Sequence, residues 1–211
     1  MKSFIFLLSI YCSLSCFANY PKVWWTEIPR ESAKSWEILP QDAKVGEVIL
    51  SKRTELGLLS NFAATPLVID SIMYPSLEGF WQMMKYPDSK IKNDPRSQLN
   101  YTLNRRQVAQ LTGFDAKRAG KQGSENMKLL KIDWVSYQGK KMTYRSQLKG
   151  THYQLIVRAT LAKVTQNKKV KNLLLKTKGL ELKPDHSQGD NPPPAWQYHK
   201  ILMMIRDQIK K

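Results

Sequence analysis

The sequence predicts a mainly α-helical protein with a small β-hairpin or sheet near its N-terminal side. Beyond residue 100, apolar residues recur at helical spacing with lysines on the opposite face, which is typical of helices that pack on a core. Two short β-rich runs, Leu67–Ile69 and Ile72–Tyr74, flank Asp70-Ser71, and this spacing predicts a tight hairpin. Residues 45–51 also favour a strand. We therefore expect about six to eight helices and no large sheet.

The N-terminal end has the features of a secretory signal peptide. Lys2 precedes an apolar run over residues 4–17, which is shorter than the about 20 residues that a transmembrane helix needs. We expect cleavage before Asn19, so that residues 1–18 are removed and the protein is exported to the periplasm or secreted, with no transmembrane segment left. Lipid attachment at Cys16 and retention as an uncleaved amphipathic helix are the alternatives.

Both cysteines, Cys12 and Cys16, lie in this leader. The exported chain would contain no cysteine, which excludes disulfides, thiolate nucleophiles and cysteine-ligated zinc. His186 and His199 have no third type of metal ligand clustered near them in the sequence, so we expect neither a metal nor another cofactor.

The chain is strongly basic, with a formal net charge of +17 over 211 residues. Residues 134–180 contain no Asp or Glu but eleven Lys or Arg. Such a region attracts polyanions: nucleic acid, an anionic membrane surface or a small substrate that carries phosphate. A solvated basic surface without a partner is the alternative.

After the leader, we expect an N-terminal arm over residues 19–45 and one domain over residues 46–211. The arm contains Trp24, Trp25 and Trp36 without a clear period, and a short helix is predicted near residues 31–38. Its tryptophans are expected to dock the arm onto the domain, because stacking on bases would require them to be exposed.

The most informative segment is residues 58–85. Pro75-Ser76 predicts a helix start with Ser76 as the N-cap, and the helix should run over residues 77–86 and stop before Pro87. Glu78 then lies in the first turn, among large apolar side chains. A carboxylate held against aromatic rings is a candidate acid or base, although Glu78 could also serve only the helix dipole.

The same segment contains the string Leu59-Ser60-Asn61-Phe62, then Asp70, Tyr74-Pro75-Ser76, Glu78, Trp81-Gln82 and Lys85. This pattern resembles the opening motif of the NADAR (YbiA-like) family. The resemblance implies a mainly helical fold and an N-glycosidase that acts on ADP-ribose-type or ribosylamino, riboflavin-pathway type nucleotides. In the family His-Tyr-Phe usually follows the glutamate, whereas this chain has Gly79-Phe80-Trp81 and lacks the histidine.

Further segments match the family more loosely. A family strand that ends in a lysine aligns with residues 45–51 and makes Lys52, one residue off, a candidate nucleophile or phosphate partner. Gly120-Lys121 replaces a Gly-Arg pair, and Trp134 matches a family tryptophan. Asp185-His186 occupies the place of the family's Glu-His or Glu-Ala pair, and Asp190 falls where the family has an aspartate before Trp-Gly. The remaining matches are residues 162–177 and a terminal helix near residues 201–206, whereas a proline-rich loop that ends at Trp196 replaces the family's Trp-Gly turn.

Between these matches, residues 88–100 are predicted to form a loop and residues 103–111 a short helix that is broken at Gly113. Residues 139–177 are predicted to form two or three helices. The chain is longer than compact relatives around residues 137–151, so we interpret residues 139–150 as a basic insertion.

Together with the predicted leader, the resemblance implies an exported N-glycosidase in which Glu78 and Asp190 stabilise positive charge at the sugar or activate water, with Lys52 as a third catalytic candidate. Its partner would be a phosphorylated nucleotide-type molecule or an ADP-ribosylated substrate. The alternatives are a catalytically decayed module that binds nucleotide or nucleic acid through residues 134–180, and a membrane-surface protein. The expected substrate-binding residues are Asn61, Phe62, Trp81, Lys85, Lys121, Trp134, Asp185, His186 and Trp196.

Overall fold

The computed structural model describes residues 20–209, which contain six α-helices and six short strands. The predicted signal peptide and its cleavage site lie outside these residues. Helix makes up 46% and strand 12% of the structure, so the fold is helix-rich but more mixed than the sequence predicted. The elements are β1 (Glu47–Ile49), β2 (Leu67–Ile69), β3 (Ile72–Tyr74), α1 (Leu77–Met83), α2 (Arg105–Ala109), α3 (Gly113–Leu129), β4 (Trp134–Tyr137), β5 (Lys140–Thr143), α4 (Thr151–Gln166), α5 (Lys168–Lys176), β6 (Glu181–Lys183) and α6 (Tyr198–Gln208).

The strands form three separate two-stranded sheets in the described part of the chain. The predicted hairpin is present: β2 and β3 are antiparallel, and Asp70 and Ser71 both adopt positive φ, as a tight two-residue hairpin turn requires. The predicted strand at residues 45–51 is also present as β1. Its partner is β6, which runs parallel to it from the far end of the chain, and no local sequence pattern indicated this pairing.

The helix prediction for residues 139–150 is wrong. β4 and β5 form an antiparallel hairpin there, and α4 begins only at Thr151. The turn is Gln138-Gly139, and both residues have positive φ. This glycine marks a hairpin turn rather than the start of an insertion between helices.

Helix α1 is the centre of the structure, since all seven of its residues are buried. Its predicted start is confirmed: the Ser76 hydroxyl accepts a hydrogen bond of 3.0 Å from the Gly79 amide. Helices α2 and α3 lie along it. The helix ends at Met83, earlier than predicted.

Helix α3 is longer than anything predicted in this region. Gly113 does end the short α2 segment, but with a φ of +54° it also begins a helix of 17 residues. Gly120 and Gly123 weaken the helix signal in the sequence, yet they have a packing role. A Cβ on Gly120 would lie 2.0 Å from Oε1 of Gln82, and one on Gly123 would lie 2.9 Å from Cβ of Lys85. Both glycines therefore allow α3 to approach α1 closely.

The N-terminal arm docks on the domain as expected through Trp24, which is fully buried and donates a hydrogen bond of 2.8 Å to Glu55. The short helix expected near residues 31–38 is reduced to the 3₁₀ turn Arg30–Ser32. Trp36 differs from the expectation, because its side chain is exposed and faces a cleft.

The predicted apolar stripe of α4 and α5 is buried at six positions, while Leu161 is partly exposed. The buried stripe positions are Leu155, Ile156, Val164, Val170, Leu173 and Leu174.

In the described range, no helix is both long and apolar enough to cross a bilayer.

Candidate active site

A cleft of about 510 Å³ lies where the arm, the loop before β2, α1, α3 and the loop before α6 meet. Other cavities, of about 640 and 470 Å³, lie elsewhere on the surface. This cleft is the candidate site because it brings a buried carboxyl group, lysines and aromatic rings together. It is lined by Trp36, Lys52, Ser60, Asn61, Phe62, Glu78, Trp81, Gln82, Phe114, Lys117, Tyr144, His186, Ser187, Gln188, Trp196 and Tyr198.

The loop Ser60-Asn61-Phe62 forms one side of the cleft and is tied to two helices. The Asn61 carbonyl accepts a hydrogen bond of 2.9 Å from the Glu78 amide at the start of α1. The Phe62 carbonyl accepts one of 3.1 Å from the Gly113 amide at the start of α3. The loop therefore aligns both helix starts, which is the structural basis of the motif noted in the sequence.

Glu78 lies against the cleft with 7% of its surface exposed. Burial raises the pKa of its carboxyl group, and this effect outweighs the opposing hydrogen bond from Gln82 and the charges of Lys85, Lys117 and Lys52. The carboxyl group therefore keeps its proton to higher pH than an ordinary glutamic acid. It is thus suited to give a proton to a leaving group.

Gln82 connects Glu78 to α3. Its Nε2 donates a hydrogen bond of 2.7 Å to Oε1 of Glu78, one turn earlier on α1. Its own Oε1 is buried, and no residue in the described range supplies a hydrogen-bond partner for it. This oxygen faces Gly120 of α3, where an added Cβ would lie 2.0 Å from it, so Gln82 lies between Glu78 and α3.

Gly79, which follows Glu78 on α1, lies where no side chain fits. A Cβ at this position would lie 2.4 Å from the Leu111 carbonyl oxygen and 3.1 Å from that of Ala109. The end of α2 and the residues after it therefore occupy the space that any side chain would need.

Lys52 and Asp185 meet at one end of the β1–β6 pair. Because the strands are parallel, the residues that follow them lie side by side, and Lys52 forms an ion pair with the buried Asp185. Burial would raise the pKa of Asp185, but hydrogen bonds from His186 and Lys52 outweigh it and hold the pKa below its usual value. His186 Nδ1 lies 2.8 Å from Asp185 Oδ1. Asp185 is therefore a fixed anion that orients Lys52 and His186 at the cleft.

The Nζ atom of Lys52 lies 5.0 Å from the Phe62 ring centre and 5.8 Å from that of Trp36. Lys117 of α3 approaches the same two rings, at 5.9 Å from Phe62 and 5.4 Å from Trp36. Two cations thus flank one aromatic pair, an arrangement that suits an anionic ligand. Sequence reasoning missed Lys117; a correct prediction of α3 would have placed it one turn after Gly113, next to Phe62.

A second aromatic wall of the cleft is formed by Trp81, Tyr144 and Trp196. The Trp81 indole donates a hydrogen bond of 3.2 Å to the Tyr144 hydroxyl, and the Tyr144 ring lies 5.5 Å from that of Trp196. The indole nitrogen of Trp196 is buried without a partner among residues 20–209. Behind this wall, burial lowers the pKa of His152 to about 4, so His152 is neutral near pH 7. Tyr144 is, like Lys117, a lining residue that the sequence did not indicate. It comes from the segment that we interpreted as an insertion.

Seven of the predicted residues line the cleft, and Asp185 lies directly behind it. Lys85 is close but buried: its Nζ donates a hydrogen bond of 2.8 Å to the Ser124 hydroxyl, and it does not line the cleft. The seven residues are Lys52, Asn61, Phe62, Glu78, Trp81, His186 and Trp196.

Three predicted residues lie elsewhere. Lys121 lines a different cavity and faces Glu125 at 3.8 Å. Trp134 begins β4, where its ring lies between Arg96 and Lys141, each 4.4 Å from the ring centre. Asp190 is exposed in the loop before α6 and does not line the cleft. The proposed pairing of Glu78 with Asp190 therefore has no support in the structure.

No group of His, Cys, Asp and Glu side chains in residues 20–209 could hold a metal ion. No known protein-family profile matches the chain, and no curated protein matches it. Among solved structures, the NMR structure of the E. coli protein YbiA is similar, with a TM-score of 0.47 and 21% sequence identity. The match covers 78% of this chain and 89% of the YbiA chain.

Proposed function

We propose that this protein hydrolyses an N-glycosidic bond in a phosphate-bearing nucleotide-type substrate, such as an ADP-ribosyl or ribosylamino nucleotide. The observation that supports this most is that the carboxyl group of Glu78, whose pKa is raised by burial, lies in a cleft with aromatic walls and two lysines. The motif that resembles the NADAR family provides the same residues, Asn61, Phe62, Glu78 and Trp81.

The cleft chemistry suits the two ends of such a substrate. Lys52 and Lys117 would bind the phosphate, since both approach the Phe62 and Trp36 rings at one side of the cleft. The base would stack on the wall formed by Trp81, whose ring is fixed by its hydrogen bond to Tyr144. A volume of about 510 Å³ falls within the usual range for small-molecule sites, about 300–1,000 Å³.

Glu78 would act twice in the reaction. The neutral carboxyl group gives its proton to the leaving base nitrogen as the bond from C1 of the sugar to that nitrogen breaks. The resulting carboxylate stabilises the positive charge at C1 and then accepts a proton from the water whose oxygen bonds to C1. The products are the free base and the sugar with a hydroxyl group at C1, and Glu78 regains its proton.

A binding module without catalysis is the second candidate. It is favoured by the absence of a second carboxyl group from the cleft lining among residues 20–209, because glycosidases usually employ two. Its proposed ligands are a nucleotide held in the cleft or a nucleic acid held on residues 134–180. Part of that basic segment is not available, since Lys163 is buried and Arg158 is paired with Asp70.

The two functions differ in whether a bond is broken. The exported chain, incubated with ADP-ribosylated guanine and with a phosphorylated ribosylamino-pyrimidine, should release the free base from at least one of them, as followed by chromatography. Binding of either compound without release of base would contradict hydrolysis and support the binding module. If the chain neither binds these compounds nor releases base from them, both proposed functions are contradicted.

A further inference from the structure

Lys163 is a cation in the interior of the protein, behind the candidate site. It lies on α4, its surface is fully buried, and its Nζ donates a hydrogen bond to the Ser60 carbonyl. Burial lowers the pKa of its amine to about 7, and no charged neighbour in the described range shifts this pKa further. A buried lysine without a counter-ion costs stability, so its presence calls for a reason other than stability.

With the hydrogen bond to Ser60, three consecutive carbonyls of this loop each accept a hydrogen bond from a different helix. Ser60 accepts from Lys163 on α4, Asn61 from the Glu78 amide on α1, and Phe62 from the Gly113 amide on α3. The Ser60 carbonyl also closes a local turn by accepting a hydrogen bond of 3.2 Å from the Ala63 amide. It would therefore keep a partner without Lys163, which means that the lysine is not needed merely to satisfy this oxygen.

We propose that Lys163 is a positioning residue for the candidate site: it holds the Ser60-Asn61-Phe62 loop in place, and through that loop it fixes Glu78 and the aromatic side of the cleft. The role in catalysis rests on the proposed function, whereas the role in holding the loop does not. The lysines that act on the Glu78 carboxyl group through space are Lys85, Lys117 and Lys52. The influence of Lys163 passes instead through the loop backbone.

The test replaces Lys163 with methionine, which keeps much of the side-chain length but removes the charge and the donor. Amide hydrogen exchange of Glu78 and Gly113, measured by NMR, reports directly on the loop, because their amides donate to its carbonyls. We expect exchange at both amides to accelerate by roughly 10-fold or more while the melting temperature is unchanged or raised. We also expect kcat to fall more than KM rises. If the variant does not fold, Lys163→Gln takes its place, with a smaller acceleration expected.

Arg206→Met is the matched control. Arg206 is also a buried cation that donates to backbone carbonyls, those of Thr177 and Leu180, each at 2.8 Å, and it does not line the cleft. The Arg206→Met variant should leave the exchange of the Glu78 and Gly113 amides unchanged. Wild-type exchange at both amides in Lys163→Met, or an equal acceleration in Arg206→Met, would overturn the proposal. If the wild type releases no base, the proposed function fails, and the exchange result still decides the role of Lys163 in the loop.

Discussion

Lys117 and Lys121 lie one turn apart on α3, but only Lys117 reaches the candidate site. Its Nζ lies 5.4 Å from the Trp36 ring centre, whereas Lys121 faces Glu125 on the outside of the same helix. The sequence analysis expected Lys121 to bind substrate, and we propose Lys117 in its place as the residue on α3 that would bind a phosphate. This pair also provides a matched comparison, since both side chains are cationic and exposed.

Lys117→Ala should weaken substrate binding, because it removes one of the two cations beside the Phe62 and Trp36 rings. We expect KM to rise by roughly 10-fold, with the loss shrinking as ionic strength increases and the charge is screened. Steady-state kinetics at low and high salt measure this effect. Lys121→Ala should behave like the wild type, and a larger effect of Lys121→Ala would contradict the location of the phosphate site.

The sequence predicted the elements around the candidate site where the signals are local. The Ser76 cap and the Asp70-Ser71 turn act within a few residues, so α1 and the β2–β3 hairpin were found, and Glu78 was placed correctly. Lys52 was suggested only by family resemblance. Its geometry depends on the parallel pairing of β1 with β6, a contact between distant parts of the chain that local patterns do not encode.

The missed helix α3 has a different cause. Glycine is unfavourable inside helices, so Gly113 indicated a break, and Gly120 and Gly123 weaken the helical pattern that follows it. In the structure these residues begin the helix or allow its close contact with α1. Packing therefore overrides propensity here, and Lys117 was lost from the prediction together with the helix that presents it.

Gly79→Ala should destabilise the protein although alanine is the better helix former. The added Cβ would lie 2.4 Å from the Leu111 carbonyl oxygen, which is backbone and cannot move without shifting the end of α2. We expect a loss of about 1–3 kcal/mol or more in the free energy of unfolding, measured by denaturant titration. Gly150→Ala is the control, since a methyl group added to Gly150 would have no neighbouring atom within 4 Å. Equal stability of the two variants would contradict the close packing of α1 and α2.

Lys163 should make stability depend on pH in the alkaline range. Its pKa is about 7 in the folded protein and near the ordinary 10.5 when unfolded, so the unfolded chain binds more protons between these values. Its contribution to stability therefore rises with pH from about 7 to 10, by at most about 1.4 kcal/mol per pH unit. Denaturant unfolding should show this rise in the wild type and in the control Lys168→Met, an exposed position. If the free energy of unfolding of Lys163→Met rises with pH as steeply as that of the wild type, the low pKa of Lys163 in the folded protein is contradicted.

Export is proposed on the sequence of the first 18 residues. Expression of the full chain in a secreting bacterial host should yield a protein whose N-terminus is Asn19, as determined by intact mass spectrometry. Replacement of the apolar residues Leu7 and Leu8 by arginine should block this processing. A mature protein that begins at Met1, or that carries lipid on Cys16, would contradict the proposed cleavage.

The most direct test of the proposed function is the rate of base release by Glu78→Gln. The substitution keeps the shape of the side chain but removes the proton that Glu78 would donate and the charge that would stabilise the sugar cation. Because burial raises the pKa of Glu78, a neutral glutamine should leave the protein at least as stable as the wild type at neutral pH. We expect kcat to fall by about 100-fold or more, with little change in KM. Release of base at the wild-type rate by a folded Glu78→Gln protein would contradict a catalytic role for this residue.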